Sequence, residues 1–280
     1  MNFSFGEDIY STPTHFILEL IQNADDAKYT EESTPTLDLT YRHNRLCTDC
    51  NELGFTRENV DAICKIGRST KKNQVGSTGE KGVGFKSVFG VAGCVWIASN
   101  DYTFKFDSSN PMGMLILIWE DPPAGARRTN SSMYFQLRPG IDERRVFSGL
   151  HHLGGKVLIF LHKLRRIQLH IELESGDKVC YNVEREDLTS SDGLLMTRLR
   201  FSGEEFSTPH MKDYLVCHYR ISDMPEETKR PGRSKSDIKL AFLVNELGQP
   251  VLESQDVYAF LPVRSYGFTV SSCSLLIGTV

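Results

Sequence analysis

Several features that direct a chain to a membrane, to secretion or to nucleic acid are scarce in this sequence. The longest apolar run, from Met112 to Trp119, is too short to cross a bilayer as a helix. The first five residues, MNFSF, lack the basic start and the apolar stretch of a signal peptide. A net charge of −4 gives no overall attraction to nucleic acid or to an anionic membrane. We therefore expect an intracellular protein, cytoplasmic or nuclear, without a membrane or nucleic-acid partner.

Paired cysteine motifs are also scarce. The seven cysteines are an odd number spread over 280 residues, which favours reduced thiols. Cys47 and Cys50 form a CxxC, but no second pair follows nearby, and two thiols cannot fill a tetrahedral zinc shell. We interpret them as coincidental neighbours rather than as a metal or redox site.

The sequence does contain the composition and patterning of an ordinary globular protein. It is 40% hydrophobic and 24% charged, and its length suits one large domain or two smaller ones. Helical patterns begin after Ser11 or Thr12 and after Thr56, and a third follows Val83. Alternating or apolar runs predict strands at 37–41, 95–98, 102–106, 114–119, 157–161, 238–244 and 257–262, and a hairpin at 167–173 and 179–183. Polar loops are predicted at 68–78 and 225–236.

The first helical pattern carries an ordered set of polar residues. Glu19 and Asn23 are four positions apart, and Asp26 follows three positions later, so all three fall on one helical face. A carboxylate one turn before an amide can activate a water molecule while the amide oxygen holds a cation. The face is therefore a candidate for nucleotide chemistry, although a lone glutamate is more often a solvated surface residue.

A glycine-rich segment lies about sixty residues downstream. Gly79, Gly82 and Gly84 precede a helical pattern, so their backbone amides are suited to anionic oxygens. The spacing fits neither a Walker A loop, because Phe85 separates Gly84 from Lys86, nor a dinucleotide fingerprint. Taken alone, such a cluster often makes only a turn.

Together these segments resemble a known superfamily. The motifs ELIQNADDA, NELGF, IGRST and GEKGVGFKSVF, in this order, are similar to those of the GHKL ATPases, which include gyrase, heat-shock chaperones, histidine kinases and mismatch-repair proteins. Within that superfamily the sequence most resembles the sacsin and NO VEIN branch, over about residues 8–170. The resemblance implies ATP and Mg²⁺ as cofactors.

The resemblance also assigns roles to individual residues. Glu19 matches the general base, Asn23 the Mg²⁺ ligand and Asp26 a position lining the nucleotide pocket. Arg68 and Lys71 match the start of the lid over ATP. The remaining matched positions form the phosphate-facing box and the residues beside it: Gly79, Gly82, Val83, Gly84, Phe85 and Lys86.

The positions that contact the adenine base in the family depart from the family pattern here. Aligned on Gly54, the aspartate that receives the adenine amino group falls on Cys50, and Asp49 lies one residue early. A bulge would be needed to turn Asp49 to that face. Asn51 belongs to the NELGF variant and is a candidate contact. Further on, Gly155 stands where relatives place a threonine.

These observations predict an α/β, or α+β, two-layer sandwich: a Bergerat-type ATP-binding fold with a mixed, mostly antiparallel sheet over residues 1–200. Residues 201–280 are predicted to begin a second, incomplete transducer-like α/β segment, as in a fragment of a longer protein. The expected function is Mg-ATP binding with slow hydrolysis coupled to lid closure, and with self-association or a client protein. The alternative is a degenerate nucleotide-binding or interaction scaffold without turnover.

Overall fold

The structure is a computed structural model that describes residues 12–64, 85–109, 113, 116–123, 130–144, 146, 150, 155–189, 193–204, 206–222, 236–251, 254–259, 261–269 and 278–279. Its helices are α1 (Thr12–Asp26), α2 (Arg57–Cys64), α3 (Val157–Phe160) and a 3₁₀ helix (Phe85–Gly90). The strands are β1 (Thr36–Arg42), β2 (Arg45–Cys50), β3 (Ala92–Ser99), β4 (Tyr102–Asp107), β5 (Ser131–Leu137), β6 (Arg166–Glu172), β7 (Lys178–Thr189), β8 (Leu195–Gly203), β9 (His210–Ile221), β10 (Ser236–Val244), β11 (Ser254–Ala259), β12 (Leu261–Thr269) and β13 (Gly278–Thr279).

Eleven of these strands form one mixed sheet in the order β13-β10-β9-β8-β7-β6-β1-β2-β5-β3-β4. The sheet has two halves that meet at its centre, where β1 runs parallel to β6. One half contains β1 to β5, and the other contains the antiparallel succession from β6 to β10, with β13 at its edge. The strands β11 and β12 form a separate antiparallel pair.

The predicted two-layer α/β sandwich of Bergerat type is wrong. The described part of the chain is mostly one large mixed sheet with few helices, and β8, β9 and β10 are strands of that sheet. The sequence patterns predicted β10 as a strand at 238–244 but did not predict β8 or β9, and a period of two does not tell which strands become neighbours. The proposed division of the chain near residue 200 stays a prediction.

Most individual elements agree with the sequence patterns. The predicted first helix corresponds to α1, and the predicted hairpin corresponds to β6 and β7. Two strand predictions are wrong. Within the predicted strand at 114–119, the described residues 116–119 form only an isolated bridge, between Ile118 and Lys105. Residues 157–160 form the short helix α3, with all four side chains buried. A short apolar run fits a buried helix as well as a buried strand, so periodicity alone could not decide. The predicted loops at 68–78 and 225–236 lie outside the described residues.

A single hydrophobic cluster holds the sheet and the helices together. It draws apolar side chains from α1, the 3₁₀ helix, α3 and the strands of both halves of the sheet. Leu39 on β1 and Leu169 on β6 are paired in register across the central junction, and both are buried. Phe16 of α1 lies edge-on to Phe135 of β5, with 6.2 Å between ring centroids. Helix α1 is thereby fixed against the sheet, which positions its polar face.

Candidate functional site

The polar face predicted on α1 forms a narrow, partly accessible stripe. Eight of the eleven residues from Phe16 to Asp26 are buried, and the three that are only partly covered are Glu19, Asn23 and Asp26. A helix on an open surface exposes its polar side to solvent. Here the other sides of α1 are buried, so among those eleven positions only the stripe is partly accessible. The structure therefore brings the three predicted residues together on one face.

The segment after the glycines packs directly against α1. The 3₁₀ helix, which follows the glycine-rich segment in the sequence, begins at Phe85 and contacts α1. Phe85 is half-buried and packs against Phe89 and Phe106, with ring centroids 6.0 and 6.2 Å away. This aromatic group anchors the chain where it leaves the glycines.

Several predicted site residues fall in the part of the chain that the structure does not describe. Those that lie outside the described residues are Arg68, Lys71, Gly79, Gly82, Val83 and Gly84. Lys86 is placed within the 3₁₀ helix by its backbone.

The C-terminal end of α1 is fixed by a residue that the motif did not single out. Asp25 is 1% exposed, and its carboxylate accepts hydrogen bonds from the backbone N–H groups of His162, Lys163 and Leu164 at 2.8–2.9 Å. The Lys163 ammonium also donates to the carbonyls of Asp26 and Ala27. A cation there suits the partial negative charge of a helix C-terminus. These contacts hold the stripe in position.

A sequence signal for Asp25 was present. It lies four positions after Ile21 and seven after Leu18, which places it on the apolar face of α1. A charged residue on a buried face requires partners, so its position in the pattern predicts a structural role.

Cys50 lies at the end of β2, close to the end of α1. The hydroxyl of Tyr29 donates to the carbonyl of Ala24 at 2.6 Å and lies 3.2 Å from Cys50 Sγ. Burial raises the pKa of the Cys50 thiol to about 11. The residue at this position is therefore neutral at physiological pH and in contact with Tyr29, and it supplies no carboxylate.

Asp49 points to the opposite face of the sheet from Cys50. Strand β2 pairs with β1 and β5 in unbroken register, so no bulge turns Asp49 toward the side of α1. Its buried carboxylate accepts a hydrogen bond from the hydroxyl of Ser132. The same alternation places Cys47 and Cys50 on opposite faces, which separates the two thiols of the CxxC.

Asn51 and Gly54 shape the chain after β2. The side-chain oxygen of Asn51 accepts from the N–H of Thr36, and its amide donates to the carbonyl of Thr34, both at 2.8 Å. The amide thus ties this loop to the start of β1. Gly54 has a φ of +89°, and a Cβ there would collide with the side chain of Asn100. Both residues therefore have local structural roles, in addition to the binding roles predicted from the motif.

Gly155 occupies a position with no room for a side chain. Its φ is +67°, and a Cβ at this position would lie 2.6 Å from Cγ1 of Val183 and 3.1 Å from Phe201. A threonine would clash with the core, so this position contributes no polar side chain to a ligand.

The described residues contain no cluster of three or more His, Cys, Asp or Glu side chains suited to a metal ion. A divalent cation held here would depend on the Asn23 amide oxygen together with oxygens of its ligand, a common arrangement for Mg²⁺. No helix in the part of the chain that the structure describes has the length and apolarity to cross a membrane.

Comparison with known proteins shows which proteins the chain is similar to. Residues 8–115, which include α1, β1 to β4 and α2, match the family model described as "Sacsin domain". The chain is 31% identical over 290 residues to Protein NO VEIN of Arabidopsis thaliana, and 32% identical over 111 residues to Sacsin of Homo sapiens. These alignments cover 94% and 35% of this chain. The findings support a sacsin/NO VEIN-like family for the chain, which spans 10% of NO VEIN and 2% of sacsin.

Proposed function

We propose that this chain binds Mg-ATP along the polar stripe of α1 and hydrolyses it slowly, as a GHKL-related ATPase. The observation that carries the proposal is the stripe itself: three polar residues, partly covered, on a helix whose other positions from Phe16 onward are buried. The contact between α1 and the 3₁₀ helix supports it, since that helix follows the glycine-rich segment directly in the sequence.

Within this proposal Asn23 and Glu19 have different roles. The Asn23 amide oxygen holds Mg²⁺, which neutralises charge on the triphosphate, and Glu19 orients and deprotonates the attacking water. Phosphoryl transfer depends mainly on positioning and on charge neutralisation, so few side chains are needed. Asp25 acts indirectly, because its hydrogen bonds hold the helix that carries both residues.

Calorimetry of ATP binding, with and without Mg²⁺, tests the proposal. We expect saturable Mg-dependent binding that Asn23→Ala weakens by about tenfold or more, because a metal ligand is lost. Asn130→Ala is the matched control, since Asn130 is exposed and its recorded hydrogen bonds use only its backbone carbonyl. Equal Mg-ATP affinity in the Asn23→Ala variant and the wild type would overturn the metal assignment.

A second candidate function is a scaffold that acts through protein contacts without turnover, by self-association or with a client protein. The positions that would contact adenine favour it, because Cys50 contacts Tyr29 and Gly155 carries no side chain. Comparing ATP, AMP-PNP and GTP separates the alternatives. The absence of binding for all three nucleotides supports the scaffold, and binding without hydrolysis supports a nucleotide-gated switch.

A further inference from the structure

A cleft rich in arginine lies away from the stripe on α1. It has a volume of about 390 Å³ and is lined by Arg165, Arg166, Arg185 and Arg200, with two glutamates and Thr34. The volume lies within the usual range of small-molecule sites, about 300–1,000 Å³. No residue of α1 lines the cleft, so it is distinct from the proposed nucleotide site.

Two of the four arginines are held by the protein itself. Arg185 donates to the carbonyls of Leu158 and Leu161 and pairs with both carboxylate oxygens of Asp187. Arg165 donates to the carbonyl of His162, and its guanidinium lies 3.6 Å from the Asp187 carboxylate. These two cations share one acid, and they form the positively charged wall of the cleft.

The other two arginines flank a single carboxylate. In the sheet register Glu184 lies between Arg166 on β6 and Arg200 on β8. Its Oε1 is 2.7 Å from the Arg166 guanidinium. Arg200 is exposed, and none of the ion pairs recorded in the described part of the chain includes it. Its guanidinium is therefore available to a ligand from solvent.

The surroundings of the cleft carry an excess of positive charge. Lys239 is 8% exposed and donates to the carbonyl of Ile159. Burial, together with the charge of Arg185, lowers its pKa to about 8. Burial and Arg185 also lower the pKa of Arg165. Because the cations repel one another, an anion in the cleft would relieve unfavourable interactions that the fold already contains.

We propose that this cleft is a second binding site, which takes a small anion carrying two or more phosphate groups. Guanidinium groups match phosphate oxygens with paired hydrogen bonds, and a partly enclosed site strengthens them relative to an open surface. Glu184 already supplies one carboxylate to this row of arginines. A ligand that competes with it must bring a higher charge than one carboxylate, which favours phosphate over a carboxylic acid.

Inorganic pyrophosphate in Mg-free buffer is the probe, and its binding to the full chain is measured by calorimetry. We expect Arg200→Glu to weaken pyrophosphate binding by about tenfold or more, since a charge-assisted contact becomes a repulsion. Arg144→Glu makes the same charge change at another exposed arginine and should leave the affinity nearly unchanged. Thermal unfolding of both variants verifies that they are folded.

One further variant, a comparison of the two arginine variants and a second anion distinguish binding in the cleft from binding at the nucleotide site and from general electrostatic attraction. With Mg²⁺ restored to the buffer, Asn23→Ala should bind pyrophosphate as tightly as the wild type, and loss of binding in that variant alone would show that pyrophosphate occupies the proposed nucleotide site, which would overturn the inference. Equal losses in Arg200→Glu and Arg144→Glu would indicate general attraction and would also overturn it. Citrate should bind more weakly than pyrophosphate, and tighter citrate binding would reject the phosphate class.

Discussion

The Asp25 carboxylate, at the end of α1, accepts a 2.9 Å hydrogen bond from the backbone N–H of Leu164, 139 positions further along the chain. This contact links the helix that carries the polar stripe to the loop that leads into β6. The neighbouring residue of that loop, Arg165, lines the arginine cleft. The proposed nucleotide site and the proposed anion site are therefore attached to opposite ends of one short connection.

Replacing Asp25 should destabilise the fold much more than replacing its neighbour. Asp25→Ala leaves three backbone N–H groups without their acceptor, and each buried unsatisfied group costs about 1–3 kcal/mol. We expect the free energy of unfolding to fall by about 3 kcal/mol or more in urea denaturation. Asp26→Ala is the matched control, because it removes the adjacent carboxylate from a side chain that is only partly covered. Similar losses in the two variants would contradict the anchoring role of Asp25.

Removing the proposed base should separate hydrolysis from binding. Glu19→Gln keeps the shape of the side chain but cannot accept a proton, and a general base typically contributes about 10²–10⁴-fold to the rate. We expect single-turnover ATP hydrolysis to fall by such a factor, while Mg-ATP affinity stays close to that of the wild type. Glu31→Gln, at an exposed position, is the control. Unchanged hydrolysis in Glu19→Gln would remove Glu19 from the mechanism.

A side chain at position 155 should be poorly tolerated. Gly155→Ala would strain a backbone with a φ of +67° and would place a Cβ against Val183. Gly176→Ala is the control for backbone strain alone, because Gly176 has a φ of +89° and open space around its Cβ position. We expect about 1 kcal/mol of destabilisation for Gly176→Ala and about 2–4 kcal/mol for Gly155→Ala, because overpacking adds to the strain. Equal melting temperatures for the two variants would show that the core near Val183 yields easily.

The buried Lys239 should give stability a measurable dependence on pH. Burial and Arg185 lower its pKa from the ordinary 10.5 to about 8 in the folded chain. Between these values the unfolded chain binds more protons, so this residue makes the free energy of unfolding rise with pH, by at most about 1.4 kcal/mol per pH unit. Other groups titrate in the same range, and the comparison is therefore wild type against Lys239→Met in urea at pH 7.5, 8.5 and 9.5. The wild type should gain stability relative to the variant, and parallel profiles would contradict the lowered pKa.

The sequence predicted elements better than it predicted their assembly. Leu37, Leu39 and Tyr41 alternate with polar residues, and that local pattern was enough to identify β1. Nothing in the same pattern indicates that β1 pairs with β6, which begins 130 residues later and runs parallel to it. The continuation of the sheet through β8, β9 and β10 follows from such pairings. The two-layer prediction failed for this reason, and because β8 and β9 were not predicted as strands.

The candidate site shows the same division between local and distant information. The shared face of Glu19, Asn23 and Asp26 follows from helical geometry, so sequence spacing was enough to predict it. The neighbours that restrict Cys50 and Gly155 are Tyr29 and Val183, and those contacts depend on how separate elements pack. Whether either residue still allows a base to bind cannot be read from spacing, because the packed surroundings decide it.

The parallel junction between β1 and β6 also determines how the chain can be shortened. A piece that ends before β6 would keep the pairing of β1 with β2 but would leave the other edge of β1 unpaired, along a strand that carries the buried side chains Leu37, Leu39 and Tyr41. Unprotected edges of this kind recruit strands from other molecules and lead to aggregation. The residues matched by the sacsin model, 8–115, contain β1 but not β6. A soluble recombinant domain therefore needs the second half of the sheet, which supplies no residue of the stripe but covers its most vulnerable strand.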